Sequence, residues 1–325
     1  MPVFEHTRTG SDLATLQNEE NHARADFIEH KMIRCEKHPG HREFFPINDL
    51  STQHLPHNYQ RQEWVDFIKL KSEETVLIEV NFTSYDRPDE FGLANIRGKT
   101  IKRIGSGTAF IMNMDKTEDC YCLEIPAAHK VSGYFHVMTV AHVVFDDIEA
   151  QHTVIKFFHD DDKDKSAIVT ARGVRVAYVD IQRNRSIIEC RTHDLTLCQR
   201  LVNARKKREI LIQESLSSLV NYEPIVLLIS HPHGLSKRVS TGKLLNIQQE
   251  GEVKTTKDGV ELIGCILTYD TPTCPGTGGG SINLIGHGEV CLAFAPHCAS
   301  KGDGQNISGL GWTKYVKSMQ LRVSY

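Results

Sequence analysis

Three short stretches, far apart in the chain, hold the residue types that acyl-transfer chemistry needs. The first is Val137-Met138-Thr139-Val140-Ala141-His142-Val143-Val144, an apolar run closed by a histidine. The second is Thr192-His193-Asp194-Leu195-Thr196-Leu197, an aspartate leading into an alternating strand, and the third is the glycine-rich loop Tyr269-Asp270-Thr271-Pro272-Thr273-Cys274-Pro275-Gly276-Thr277-Gly278-Gly279-Gly280-Ser281. An imidazole moves protons near neutral pH, a carboxylate on its other nitrogen fixes the tautomer, and backbone N–H groups of a tight glycine turn stabilise an oxyanion. Taken singly, the histidine reads as a packed strand end and the aspartate as a cap.

In that order the stretches resemble the trypsin-like, chymotrypsin-fold serine proteases, nearest to the HtrA-like, glutamyl-endopeptidase and viral-protease branches. Thr-x-Ala-His resembles the family's histidine motif, His-Asp-Leu-Thr-Leu its aspartate strand, and Pro275 to Ser281 its Pro-Gly-x-Ser-Gly-Gly-Pro turn. Gly105-Ser106-Gly107-Thr108-Ala109-Phe110-Ile111, Ser230-His231-Pro232-His233-Gly234 and Thr241-Gly242-Lys243 are similar to further family segments. The resemblance covers about residues 75–312. It implies His142 as general base, Asp194 as its orienting partner, and Gly276 and Gly278 as oxyanion-hole donors.

The same alignment places Gly278 where the family has its nucleophilic serine, and Ser281 where it has proline. Shifting the frame to make Thr277 the nucleophile would require Pro275 as the second oxyanion donor, and proline has no N–H. Removing only the serine of such a triad costs on the order of 10⁶ in kcat. The expectation is a catalytically impaired pseudoprotease that binds an extended peptide or a partner protein between two lobes. The alternative is an active serine-type endopeptidase in which Gly278 replaces a native serine, or in which Thr277 attacks. Thr273 and His297 resemble residues that line the primary specificity pocket of glutamyl endopeptidases and viral 3C-like enzymes. Cys274 stands where secreted members place a pocket disulfide, with Cys298 or Cys291 as partner.

These residues must be held by sheets. Strand-like runs follow one another from Thr75 to Phe294 with turn-rich breaks and without β–α alternation. The expected fold is all-β, two antiparallel six-stranded barrels, the first over about 75–200 and the second over about 221–312, within a protease-like domain at 61–325. A helix is expected over 60–74, where Trp64, Phe67, Ile68 and Leu70 recur near helical spacing. The charged stretch 202–217, with its Arg205-Lys206-Lys207-Arg208 run, reads as a solvated linker of helical character between the two β lobes, and Asp160 to Asp164 as a solvated hairpin tip without the glycine and glutamate of a calcium loop.

Residues 1–60 are polar, hold seven of the 17 histidines and read as a histidine-rich N-terminal segment. Cys35, His38, His41, His54 and His57 show zinc-ligand types without a recognisable zinc spacing, and His231-x-His233 falls on a family segment that shapes the second barrel, so no metal and no cofactor are expected. The chain of 325 residues carries 38 basic and 41 acidic side chains, a net charge of -3, which provides no overall attraction to nucleic acid or anionic lipid. Its start lacks a basic, apolar leader and its longest apolar run is short, so a cytoplasmic protein with no membrane span is expected. Nine scattered cysteines suit reduced thiols, and the sequons at Asn81, Asn184 and Asn306 read as chance matches.

Overall fold

The computed structural model describes residues 35–315 apart from 90–91, 114–118, 121–128, 132, 219–221, 257–258, 287–288 and 302. In chain order the strands are β1 (Phe45–Pro46), β2 (Thr75–Val80), β3 (Arg103–Asn113), β4 (Asp119–Cys120), β5 (His129–Lys130), β6 (Gly133–Thr139), β7 (Thr153–Phe157), β8 (Val169–Asp180) and β9 (Arg185–Thr192). After them come β10 (Ile225–Ser230), β11 (Arg238–Thr255), β12 (Glu261–Tyr269), β13 (Ser281–Gly286), β14 (Glu289–Ser300), β15 (Asn306–Ser308) and β16 (Gly311–Lys314). Among the described residues three α-helices interrupt them: α1 (Gln62–Ser72), α2 (Asp147–Gln151) and α3 (Leu195–Glu214).

Antiparallel pairing closes β2-β3-β6-β9-β8-β7 into a barrel. Alternation explains its filling: Val76, Ile78 and Val80 on one strand meet Ala109, Val137, Ile155, Phe157 and Ile188 from the others in one apolar cluster. The second unit has β10 between β11 and β13, while β11–β12, β12–β16, β16–β14 and β14–β13 pairings complete a ring of six, with β1 and β15 added to it. The double-barrel architecture is the expected one.

One local expectation is corrected, and two charged segments prove more tightly tied to the fold than expected. The stretch after Asp194 is a helix, because Leu197, Leu201 and Ala204 recur at helical spacing and bury one face, while Asp194 caps its first turn. The basic run sits on this helix, where Arg208 pairs with Glu74 at 2.9 Å and Arg205 with Glu209 at 3.8 Å. The acidic turn is the tip of the β7–β8 hairpin, with Asp161, Lys163 and Asp164 exposed, and it is anchored as well: Asp162 accepts from Ser236 N at 2.6 Å and Arg238 at 2.8 Å, and Asp160 pairs with buried Lys237 at 2.8 Å.

The described part of the N-terminal segment is likewise packed. Phe45 and Pro46 pair with Val239 and Arg238 of β11, and Ile47, Leu50, Leu55 and Tyr59 share an apolar cluster with Trp64, Leu227, Ile229 and Ile285. Its polar residues had concealed apolar anchors spaced by short 3₁₀ turns rather than by a regular period.

Candidate functional site

Between the barrels, β6 ends at Thr139 and turns immediately into His142, which is only 3% exposed. The turn is held from behind by a buried charge network. Arg87 donates to the His142 carbonyl at 2.9 Å and to Glu149 at 2.6 and 2.7 Å, and Arg103 donates to the Val143 carbonyl at 3.0 Å while pairing with Glu149 at 3.0 Å. Glu149 therefore gathers two guanidiniums in the interior and is held below the ordinary carboxylate range despite its burial. Burial first, and then the Arg87 charge, push the His142 imidazole down to about 3.

The partner of the His142 ring is Asn184, at the turn between β8 and β9, not Asp194. The Asn184 side-chain oxygen accepts the His142 backbone N–H at 3.0 Å, which fixes the orientation of the amide. Its Nδ2 then lies 2.7 Å from His142 Nδ1 and 2.9 Å from Cys298 Sγ. Asp194 instead accepts from Thr196 N at 2.8 Å, Thr196 Oγ1 at 2.6 Å and Leu197 N at 3.1 Å. Those donors, the Thr196 hydroxyl foremost, hold its carboxyl below the usual range, and the carboxylate is committed to the helix start. Sequence reasoning had met Asn184 only as a sequon. The signal that could have found it is a polar residue immediately before an apolar strand that pairs with the strand bearing the histidine.

An amide in this place has a chemical consequence. A carboxylate accepts a proton donated by Nδ1 and leaves Nε2 as the base; the Asn184 NH₂ can only donate, so Nδ1 is the acceptor and the ring proton sits on Nε2.

The glycine loop is attached to both barrels. It is left-handed at Gly276 (φ 89) and Gly279 (φ 82), and Gly278 between them is not in that region. A Cβ on Gly276 would lie 2.8 Å from the His231 carbonyl oxygen, and one on Gly279 would fall on the Ser106 carbonyl oxygen and the Thr139 hydroxyl, so neither position admits a side chain. Ser106 of β3 donates from its backbone N to Gly278 O at 2.7 Å and from its hydroxyl to Gly276 O at 2.9 Å, and accepts from His231 N at 2.8 Å. Thr277 is fully buried and its hydroxyl accepts from Cys274 N at 3.2 Å, directed into its own loop.

His297 on β14 closes the circle. Its carbonyl accepts from Gly279 N at 2.8 Å, its N–H donates to Gly280 O at 2.9 Å, and its Nδ1 is 2.5 Å from the Tyr269 hydroxyl. Thr273 donates to Asn306 Oδ1 at 2.8 Å and accepts from Lys37 Nζ at 2.8 Å. Cys274 lies beside Cys35, not Cys298, and the Cys291 side chain lies outside the described residues. His231 is a structural residue, fully buried with Nδ1 against the Leu235 carbonyl at 2.9 Å. Among the described residues no helix is long and apolar enough to cross a membrane.

No family model and no curated protein matches the chain. Among solved structures it is similar to the Rv3671c protease in its inactive form, at 12% identity over 75% of this chain and 86% of that one, with a TM-score of 0.38. The active form of that protease, from M. tuberculosis, has 13% identity over 75% and 78%, with a TM-score of 0.38. The HtrA-type protease AlgW with a tripeptide has 13% identity over 78% and 59%, with a TM-score of 0.35. At these scores the double barrel rests on the strand pairing described above.

Proposed function

We propose that the chain is a serine-protease homologue without proteolytic activity, whose inter-barrel surface binds an extended peptide or a partner protein. The observation that carries this reading is the Asn184 amide nitrogen at 2.7 Å from His142 Nδ1, which disables the base independently of the nucleophile. The resemblance adds the second lesion, Gly278 at the serine position. The Thr277 hydroxyl is turned into the loop and buried, which disfavours it as a substitute.

The test compares hydrolysis of peptides with Glu, Gln, Arg, Leu or Ala before the cut by four proteins. The unmodified chain is expected to be inert. Gly278→Ser alone restores a nucleophile but keeps the wrong tautomer, which costs about 10⁴-fold in such a triad. Gly278→Ser/Asn184→Asp is expected to cleave, and adding His142→Ala to abolish that cleavage. Hydrolysis by the unmodified chain that depends on His142 would overturn the proposal.

A further inference from the structure

Away from the His142 centre, Cys35, His41, His233 and Cys274 converge from three remote parts of the chain. All four are buried, and one ligand-type atom from each lies within 4.8 Å of every other. Zinc bonds of about 2.05 Å to nitrogen and about 2.3 Å to sulfur, meeting at the tetrahedral angle, imply edges near ~3.3 Å for N–N, ~3.6 Å for N–S and ~3.8 Å for S–S. The observed edges are 3.0 Å between His41 Nε2 and His233 Nε2, 3.3 Å between Cys274 Sγ and His41 Nε2, and 3.7 Å between Cys35 Sγ and Cys274 Sγ. The last is far beyond a sulfur–sulfur bond of about 2.05 Å.

The backbone is shaped to bring these atoms together. Gly40 (φ 75) and His41 (φ 46) are both left-handed, turning the imidazole inward, and His233 (φ 56) and Gly234 (φ 73) do the same on the other side. A φ above zero is costly for histidine, and two such histidines facing each other at one point imply something that compensates for the strain. His233 N donates to the Pro275 carbonyl, and Phe44 packs with Cys35 and Cys274 as an apolar wall that excludes water.

We propose that Cys35, His41, His233 and Cys274 bind one structural zinc ion. Two thiolates and two imidazoles in closed tetrahedral array select Zn²⁺ over oxygen-loving cations, and four protein ligands leave no open position for catalysis. The ion would staple the N-terminal segment to the second barrel, with Cys274 fixing the glycine loop two residues before Gly276. Of the zinc-type residues in the N-terminal segment, Cys35 and His41 are in the cluster, and His38, His54 and His57 are not. His38 packs edge-on against Phe44, His54 accepts from Ser51 N at 3.1 Å, and His57 lies against Asn58. Cys35, His41 and His233 stood among the zinc-type residues of the sequence, but their grouping with Cys274 was illegible because the members are up to 239 residues apart.

The full-length chain, purified under reducing conditions from zinc-supplemented cells, is expected to carry one zinc per chain by elemental analysis. After metal exchange, cobalt(II) is expected to give the intense visible bands of a tetrahedral site and the thiolate-to-cobalt charge-transfer band of two sulfurs. Cys35→Ser and His41→Gln should each lose stoichiometric zinc, while Cys198→Ala retains it. Should those variants fail to fold, the cobalt spectrum of the unmodified chain decides alone. A folded, reduced, unmodified chain that takes up neither zinc nor cobalt overturns the proposal, as does a Cys35–Cys274 disulfide found in the same reduced preparation by peptide mass mapping.

Discussion

Burial and the Arg87 charge keep the His142 imidazole neutral, and the consequence appears in stability. Its folded value lies near 3 against an ordinary 6.5, so between those values the unfolded chain binds a proton that the folded chain refuses. Stability from this group is therefore fully present above about pH 6.5 and is lost as pH falls toward about 3. His231, also driven down by burial and then by Lys237, has the same sign. Urea midpoints are expected to fall on acidification already between about pH 6.5 and 5, ahead of the carboxylates. His142→Gln should flatten part of that slope, and a midpoint unchanged down to about pH 5 would refute the assignment. At this scale the sequence was half legible. His142 and the glycine turn could be picked out because strand end and Pro-Gly run are local patterns; Asn184 could not, because an amide and a carboxylate differ by one atom and Asp194 offered the more familiar type.

Helix α3 shows why the more familiar type misled. Asp-Leu-Thr-Leu alternates over too few residues to distinguish period 2 from period 3.6, and only the continuation to Leu201 and Ala204 settles it. The long central strands were readable as runs of β-branched residues between turns, whereas β1, β15 and β16 are short and depend on partners supplied by the fold. With Asp194 as a cap, Asp194→Ala should cost about 1 kcal/mol of stability in a denaturant titration. The same change in the Gly278→Ser/Asn184→Asp background is expected to leave hydrolysis unaltered; a loss as deep as that of His142→Ala would return Asp194 to the site. A second element-level expectation concerns α2: Glu149→Gln leaves Arg87 and Arg103 buried with too little counter-charge and should cost about 3–5 kcal/mol.

Across the whole molecule, the two barrels meet where one serine serves both. Ser106 belongs to β3 of the first barrel, yet its hydroxyl donates to Gly276 O and accepts from His231 N, both of the second. Ser106→Ala would leave a buried carbonyl and a buried N–H without this partner, a loss of about 1–3 kcal/mol. The backbone bond from Ser106 N to Gly278 O at 2.7 Å survives the change, so the loop is loosened rather than freed. In the Gly278→Ser/Asn184→Asp background the variant is therefore expected to keep its fold and its dependence on His142 while kcat falls more than KM rises, since the loop positions the reacting centre rather than the whole peptide. Steady-state kinetics beside a denaturant titration would separate the two effects. Unchanged stability with unchanged kcat would mean that the glycine loop takes its shape from the second barrel alone.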